Sequence, residues 1–97
     1  MNQALYMPIP SVIEKIIDET PDIKTFRIRP ETPVPFRAGQ FVELAVPGVG
    51  EAPFTPSSSP KISEHMEITI MRTGRVTDRL HMMAEGDAVG LRGPMGR

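Results

Sequence analysis

Between Asp22 and Arg29 apolar and charged residues alternate, with Phe26 and Ile28 on one side and Arg27 and Arg29 on the other, and Pro30 ends the run. A period of two is that of a strand with one buried face, and proline, lacking a ladder N–H, closes it. Val42, Leu44 and Val46 repeat the period after Gly39-Gln40, where glycine can supply the turn. Met66, Ile68 and Ile70 alternate with Glu67, Thr69 and Met71, a further strand that ends near Arg72. Ser11 to Glu19 carries two patterns at once. Val12, Ile13, Ile16 and Ile17 fall at helical spacing behind a Ser11/Glu14 capping box, whereas four β-branched residues favour a strand. The local pattern leaves both open. Downstream, Val76, Leu80, Met83 and Ala84 share one side of a short helix with Thr77 as its cap, and Gly86-Asp87 turns the chain into a last strand, Ala88 to Leu91.

Ninety-seven residues form one small domain, and eleven Pro and eight Gly point to short elements joined by turns rather than to long helices. An all-β barrel or sandwich fits best. Eleven basic and twelve acidic residues are interspersed, so no electrostatic footprint for nucleic acid or anionic lipid stands out. The absence of cysteine excludes a disulfide, a thiolate nucleophile and an iron-sulfur ligand within these residues, and His65 and His81 are too few for a metal site. No apolar run approaches the ~20 residues of a membrane span, and Met1 to Pro10 lacks the form of a signal peptide. The expectation is a soluble cytoplasmic protein with no metal, no membrane and no nucleic-acid partner.

Chemistry concentrates in two places. Glu51 to Pro60 reads Glu-Ala-Pro-Phe-Thr-Pro-Ser-Ser-Ser-Pro. It sets an aromatic, Phe54, beside Thr55 and a row of hydroxyls, a way to hold a flat heterocycle, although Pro/Ser segments are as often solvated linkers. Gly74-Arg75-Val76-Thr77 enters the short helix through a glycine. Unpaired backbone N–H groups and the positive end of the helix dipole there suit a phosphate, while the bland meaning is a plain helix start. Met66, Met82, Met83 and Met95 are packing residues.

The order of these motifs resembles the flavin domain of the ferredoxin-reductase-like flavoproteins. Ala-Pro-Phe-Thr-Pro-Ser-Ser-Ser-Pro is similar to the Arg-Pro-Tyr-Ser-Ile-Ala-Ser-Ser-Pro stretch of that family, and Gly39-Gln40-Phe41-Val42, Gly74 to Thr77, Glu85-Gly86-Asp87 and Gly93-Pro94-Met95-Gly96 fall in family order. The resemblance implies a six-stranded antiparallel Greek-key barrel spanning 1–97, with one short helix between the last two strands, and it makes Val12 to Ile16 the first arm of a hairpin. It implies FAD, with FMN possible and no metal. Pro53, Phe54 and Thr55 would lie on the flavin, with Phe54 against the ring and Thr55 near N5. Ile70, Met71 and Arg72 would lie along the ribityl and phosphate part, and Gly74, Val76 and Thr77 on the pyrophosphate. No residue is required as a general acid or base. The family's phosphate-gripping arginine maps to Ala52, so one anchor is missing, and Arg72 is the candidate replacement. The nearest flavour is that of hydrogenase gamma, sulfite reductase and dihydroorotate dehydrogenase electron-transfer subunits. The resemblance therefore implies an NAD(P)H-linked electron-transfer oxidoreductase whose C-terminal NAD(P)-binding domain or subunit lies outside these residues, with an iron-sulfur electron-transfer partner. A cofactor-free β-barrel docking module is the alternative.

Overall fold

A computed structural model describes residues 7–96. Six strands and one helix follow in order: β1 (Ile9–Thr20), β2 (Ile23–Pro30), β3 (Phe41–Val46), β4 (Gly50–Phe54), β5 (Met66–Met71), α1 (Arg75–His81) and β6 (Ala88–Met95). All pairings are antiparallel, in one sheet of order β4-β3-β6-β1-β2-β5. The six strands and the helix between the last two are as expected, but closure is not: β4 and β5 remain edges, so the sheet is an open one rather than a ladder-closed barrel. Hydrogen bonds from the chain after β4 to β5 bridge the gap, beginning with Ser57 N–H to the Glu67 carbonyl at 2.7 Å.

The ambiguity at Ser11 to Glu19 has a physical origin. Ile13 pairs with Ile28 and Ile16 with Phe26, with a register shift between Ile13 and Lys15. One extra residue at Glu14 lets two isoleucines three apart face the same core, so a β-bulge writes helical spacing into a strand. Pairing with β2 on one side and β6 on the other fixes the segment as strand. On the outer face Arg29 binds the Glu14 carboxylate, and this hydrogen bond, more than the nearby positive charge, holds Glu14 below the usual carboxylate range.

Ile13, Phe26, Ile28, Val42, Leu44, Ile68, Leu80 and Leu91 are fully buried and make up the centre of the core. Leu80 is the fully buried residue through which α1 joins it, and Val76 packs against its edge. The helix differs from expectation at both ends. Gly74 is the N-cap and Thr77 stands three residues inside, where its Oγ1 accepts the N–H groups of Thr73 and Gly74, both at 2.8 Å. The helix stops at His81, leaving Met83 partly buried and Ala84 exposed in the following turn. His81 Nε2 donates to the Ile70 carbonyl at 2.9 Å, which ties the last turn to β5. Leu80→Ala is expected to cost about 2–5 kcal/mol, the range for a buried leucine. Urea unfolding should show a lower midpoint with an unchanged slope; an unchanged midpoint would contradict this placement. Among the described residues no helix is long and apolar enough to cross a membrane.

Candidate functional site

β4 is short because its sequence allows little else: Pro53 has no N–H, which an edge strand tolerates, and Pro56 follows two residues after its last pair. Its register, Leu44 with Ala52 and Val42 with Phe54, gives the two faces different work. Gly50, Ala52 and Phe54 share the inner face with Leu44 and Val42. Glu51, Pro53 and Thr55 follow the outer parity with Glu43 and Phe41. An open groove of about 530 Å³ lies where the two faces meet, lined by Phe41, Glu43, Pro53, Phe54 and Thr55. Phe54 is half-buried and packs against the core, whereas Pro53 and Thr55 are exposed. The groove thus offers two aromatic side chains and one free-standing hydroxyl.

The inner face of β4 leads from this groove to α1. A Cβ built on Gly50 would lie 3.8 Å from Val76 Cγ2, so the start of β4 meets the start of the helix. Gly50 and Phe54 are four residues apart, about 13 Å along a strand. Only Ala52 stands between them on that face, and it is half-buried. At the helix start the N–H groups of Arg75 and Val76 have no intrahelical acceptor. Thr77 is buried and its hydroxyl is spent on the turn, so of the Gly74, Val76, Thr77 set the backbone, not the threonine side chain, is what remains to meet a ligand. Arg75 is exposed and makes no ion pair among the described residues.

The Ile70, Met71, Arg72 set divides. Ile70 is buried in the core and its carbonyl accepts from His81. The Glu67 backbone faces away from β2, and the two-residue alternation of an antiparallel ladder gives Thr69 and Met71 the same aspect. Met71 is therefore the member whose backbone reaches the open edge, and its side chain is exposed. Arg72 Nε donates to Asp78 Oδ1 at 3.1 Å, with both side chains about half exposed. A pair this exposed is worth about 0–1 kcal/mol, so Arg72 is held loosely beside the helix start.

The arrangement fits a ligand with a flat ring at one end and an anionic group at the other. A second groove, of about 570 Å³, lies by Pro8, Ala45, Val49, Ala88 and Gly90. Its lining is nearly all apolar, and neither an aromatic ring nor a hydroxyl stands in it.

A family model described as the oxidoreductase FAD-binding domain matches residues 10–97, and the chain belongs to that family. It is 40% identical over 89 residues to the probable dihydroorotate dehydrogenase B (NAD(+)), electron transfer subunit, of Methanocella arvoryzae, covering 92% of this chain and 32% of the relative. It is 41% identical over 87 residues to the sulfhydrogenase 1 subunit gamma of Pyrococcus furiosus, covering 84% of this chain and 30% of the relative. The chain thus spans about a third of the length of the curated relatives it matches. Among solved structures, the cytochrome P450 reductase of Amycolatopsis superposes with a TM-score of 0.81 at 27% identity, covering 94% of this chain and 28% of that one. Phthalate dioxygenase reductase superposes with a TM-score of 0.83 at 22% identity, covering 98% and 32%, and this likeness bears on the fold alone. The ferredoxin-reductase-like resemblance therefore holds, and FAD is the flavin that the family description names.

Three features escaped the sequence reading. Phe41 and Glu43 line the groove, although Gly-Gln-Phe-Val is most simply a turn and a strand. The available signal was parity: Phe41 is an aromatic on the outward side of a strand whose inward side is Val42, Leu44 and Val46. The third is the role of Ser57 and Ser58, whose bonding partner is remote in sequence and leaves no local trace.

Proposed function

We propose that this chain positions FAD in an NAD(P)H-linked electron-transfer oxidoreductase, between a nicotinamide cofactor and an iron-sulfur or other redox partner. The observation that carries the reading is the single strand β4. Its far end opens on the groove of Phe41, Phe54 and Thr55, and its near end meets the first turn of α1. Bound FAD supplies the redox chemistry, which the protein orients and tunes. Phe54 would present an apolar face to the flavin ring, and Thr55 would bring its hydroxyl to the ring from the same groove. Pro53 lines the same wall. The Met71 backbone and the loosely paired Arg72 would run along the tail, and at the helix start, where Gly74 is the N-cap and gives its own N–H to Thr77 Oγ1, the Val76 N–H would meet the pyrophosphate. No proton need be moved by a side chain of this chain, since its part is to bind and orient.

The nicotinamide site belongs, in this reading, to a further domain or subunit, in a protein of the cytoplasm. The names of two relatives support a separate nicotinamide unit: one is an electron transfer subunit marked NAD(+) and another a sulfhydrogenase gamma subunit. Mixed anaerobically with NADH, the FAD-loaded 97-residue chain is expected to keep its visible flavin absorbance over the time of enzymatic turnover. Rapid, saturable bleaching would overturn the assignment of the nicotinamide site to another unit.

A further inference from the structure

The chain must cross from β4 to β5, the two open edges of the sheet, and it makes the crossing directly after Thr55. Three hydrogen bonds meet it on the far side, all at one residue of β5. Ser57 N–H donates to the Glu67 carbonyl at 2.7 Å, Ser57 Oγ donates to the same oxygen at 3.1 Å, and Glu67 N–H donates to Ser58 Oγ at 2.9 Å. Both backbone groups that Glu67 turns toward the open edge are thereby satisfied without a strand beside them. Glu67 is itself fixed, since its carboxylate accepts from Arg27 Nη2 at 3.0 Å and Arg27 is its cross-strand partner on β2.

We infer that Ser57 and Ser58 are positioning residues for the flavin-facing pair Phe54 and Thr55. On one side Phe54 is held by its pairing with Val42 in the sheet. On the other, Ser57 is held by Glu67. Only Thr55 and Pro56 lie between the two fixed points, and proline restricts its own φ to a narrow range. Thr55 therefore has few placements open to it, and its exposed hydroxyl is set by bonds it does not make. A further hydroxyl contact, Ser57 Oγ to Thr69 Oγ1 at 3.4 Å, and one from Thr69 to Thr25 at 2.9 Å, extend the fixed surface across β5 to β2. Ser57 is exposed and Ser58 half-buried, so neither hydroxyl is needed to fill the core. Their work is the attachment of the loop.

The inference rests on the proposed FAD site, and the test separates the two. FAD is titrated into the 97-residue chain and into the Ser57→Ala/Ser58→Ala variant, with amide hydrogen exchange recorded on both without FAD. The variant is expected to keep the thermal midpoint of the flavin-free protein, to lose protection at the Glu67 amide, and to bind FAD about ten-fold more weakly with a smaller shift of the visible flavin band. Ser57→Thr/Ser58→Thr, which keeps both hydroxyls, should restore affinity and band position. Equal FAD affinity and an equal band shift in the alanine variant and the parent would overturn the positioning role while leaving the FAD site standing. If the alanine variant unfolds, Pro56→Gly, which leaves all three bonds but frees the two-residue span, must weaken FAD and reduce the band shift, and no effect there overturns the role. A parent chain that binds no FAD overturns both.

Discussion

Ala52→Arg is expected to tighten FAD by about ten- to a hundred-fold, since a charge-assisted hydrogen bond is worth roughly 1.5 to 3 kcal/mol. Ala52 lies on the inner face of β4 between Gly50, which meets Val76, and Phe54, which lines the groove, so a long side chain there is directed along the path from ring to phosphate. Small side chains at 50 and 52 leave that face open. Riboflavin, which has no phosphate, should gain little from the same change. Calorimetric titration of both ligands checks this. No gain for FAD would mean that Arg72 already serves the phosphate or that position 52 does not face it. The Arg72→Ala background distinguishes these outcomes: a served phosphate predicts that the new arginine then rescues binding, and a misplaced position predicts that it does not. Arg72 is free to serve because its partner Asp78 holds it only through an exposed ion pair.

Phe54→Ala is expected to weaken FAD by about ten- to a hundred-fold, taking roughly 1–3 kcal/mol for an aromatic stacked on a heterocyclic base. Flavin fluorescence titrations of parent and variant give the ratio. Phe54 also packs against the edge of the core, so a folded-state control is required, namely the far-ultraviolet circular dichroism and thermal midpoint of the flavin-free variant. A variant that folds and binds as tightly as the parent would remove the stacking role and leave Phe41, on the other wall of the groove, as the aromatic to examine.

Much of this arrangement was legible because it is local. The parity of Phe26 and Ile28, and of Val42, Leu44 and Val46, placed the buried faces of β2 and β3, and the neighbouring positions of Phe54 and Thr55 implied the division of labour on β4. What was hidden depended on distant pairing. The bulge at Glu14 looked like half a helical turn because only the partners Ile28 and Phe26 reveal the register shift. Thr77 looked like a cap because a hydroxyl three residues after a glycine reads the same whether it stands at the first position or, as here, folds back on Thr73 and Gly74 from inside. The open edge of the sheet is a property of β4 and β5 together, and so are the serines that bridge it. The pattern that placed Ile70 beside a cofactor came from family order, while its alternation with Ile68 sends the side chain into the core.

The most direct measurement is a titration of FAD into the isotope-labelled 97-residue chain, followed by backbone amide chemical shifts. Saturable shifts are predicted at Phe41, Thr55, Met71 and residues 74–77, along the path from the groove to the first turn of α1. Either of two results would contradict the account: no saturable change, or shifts gathered instead around the apolar groove at Ala45, Val49 and Ala88.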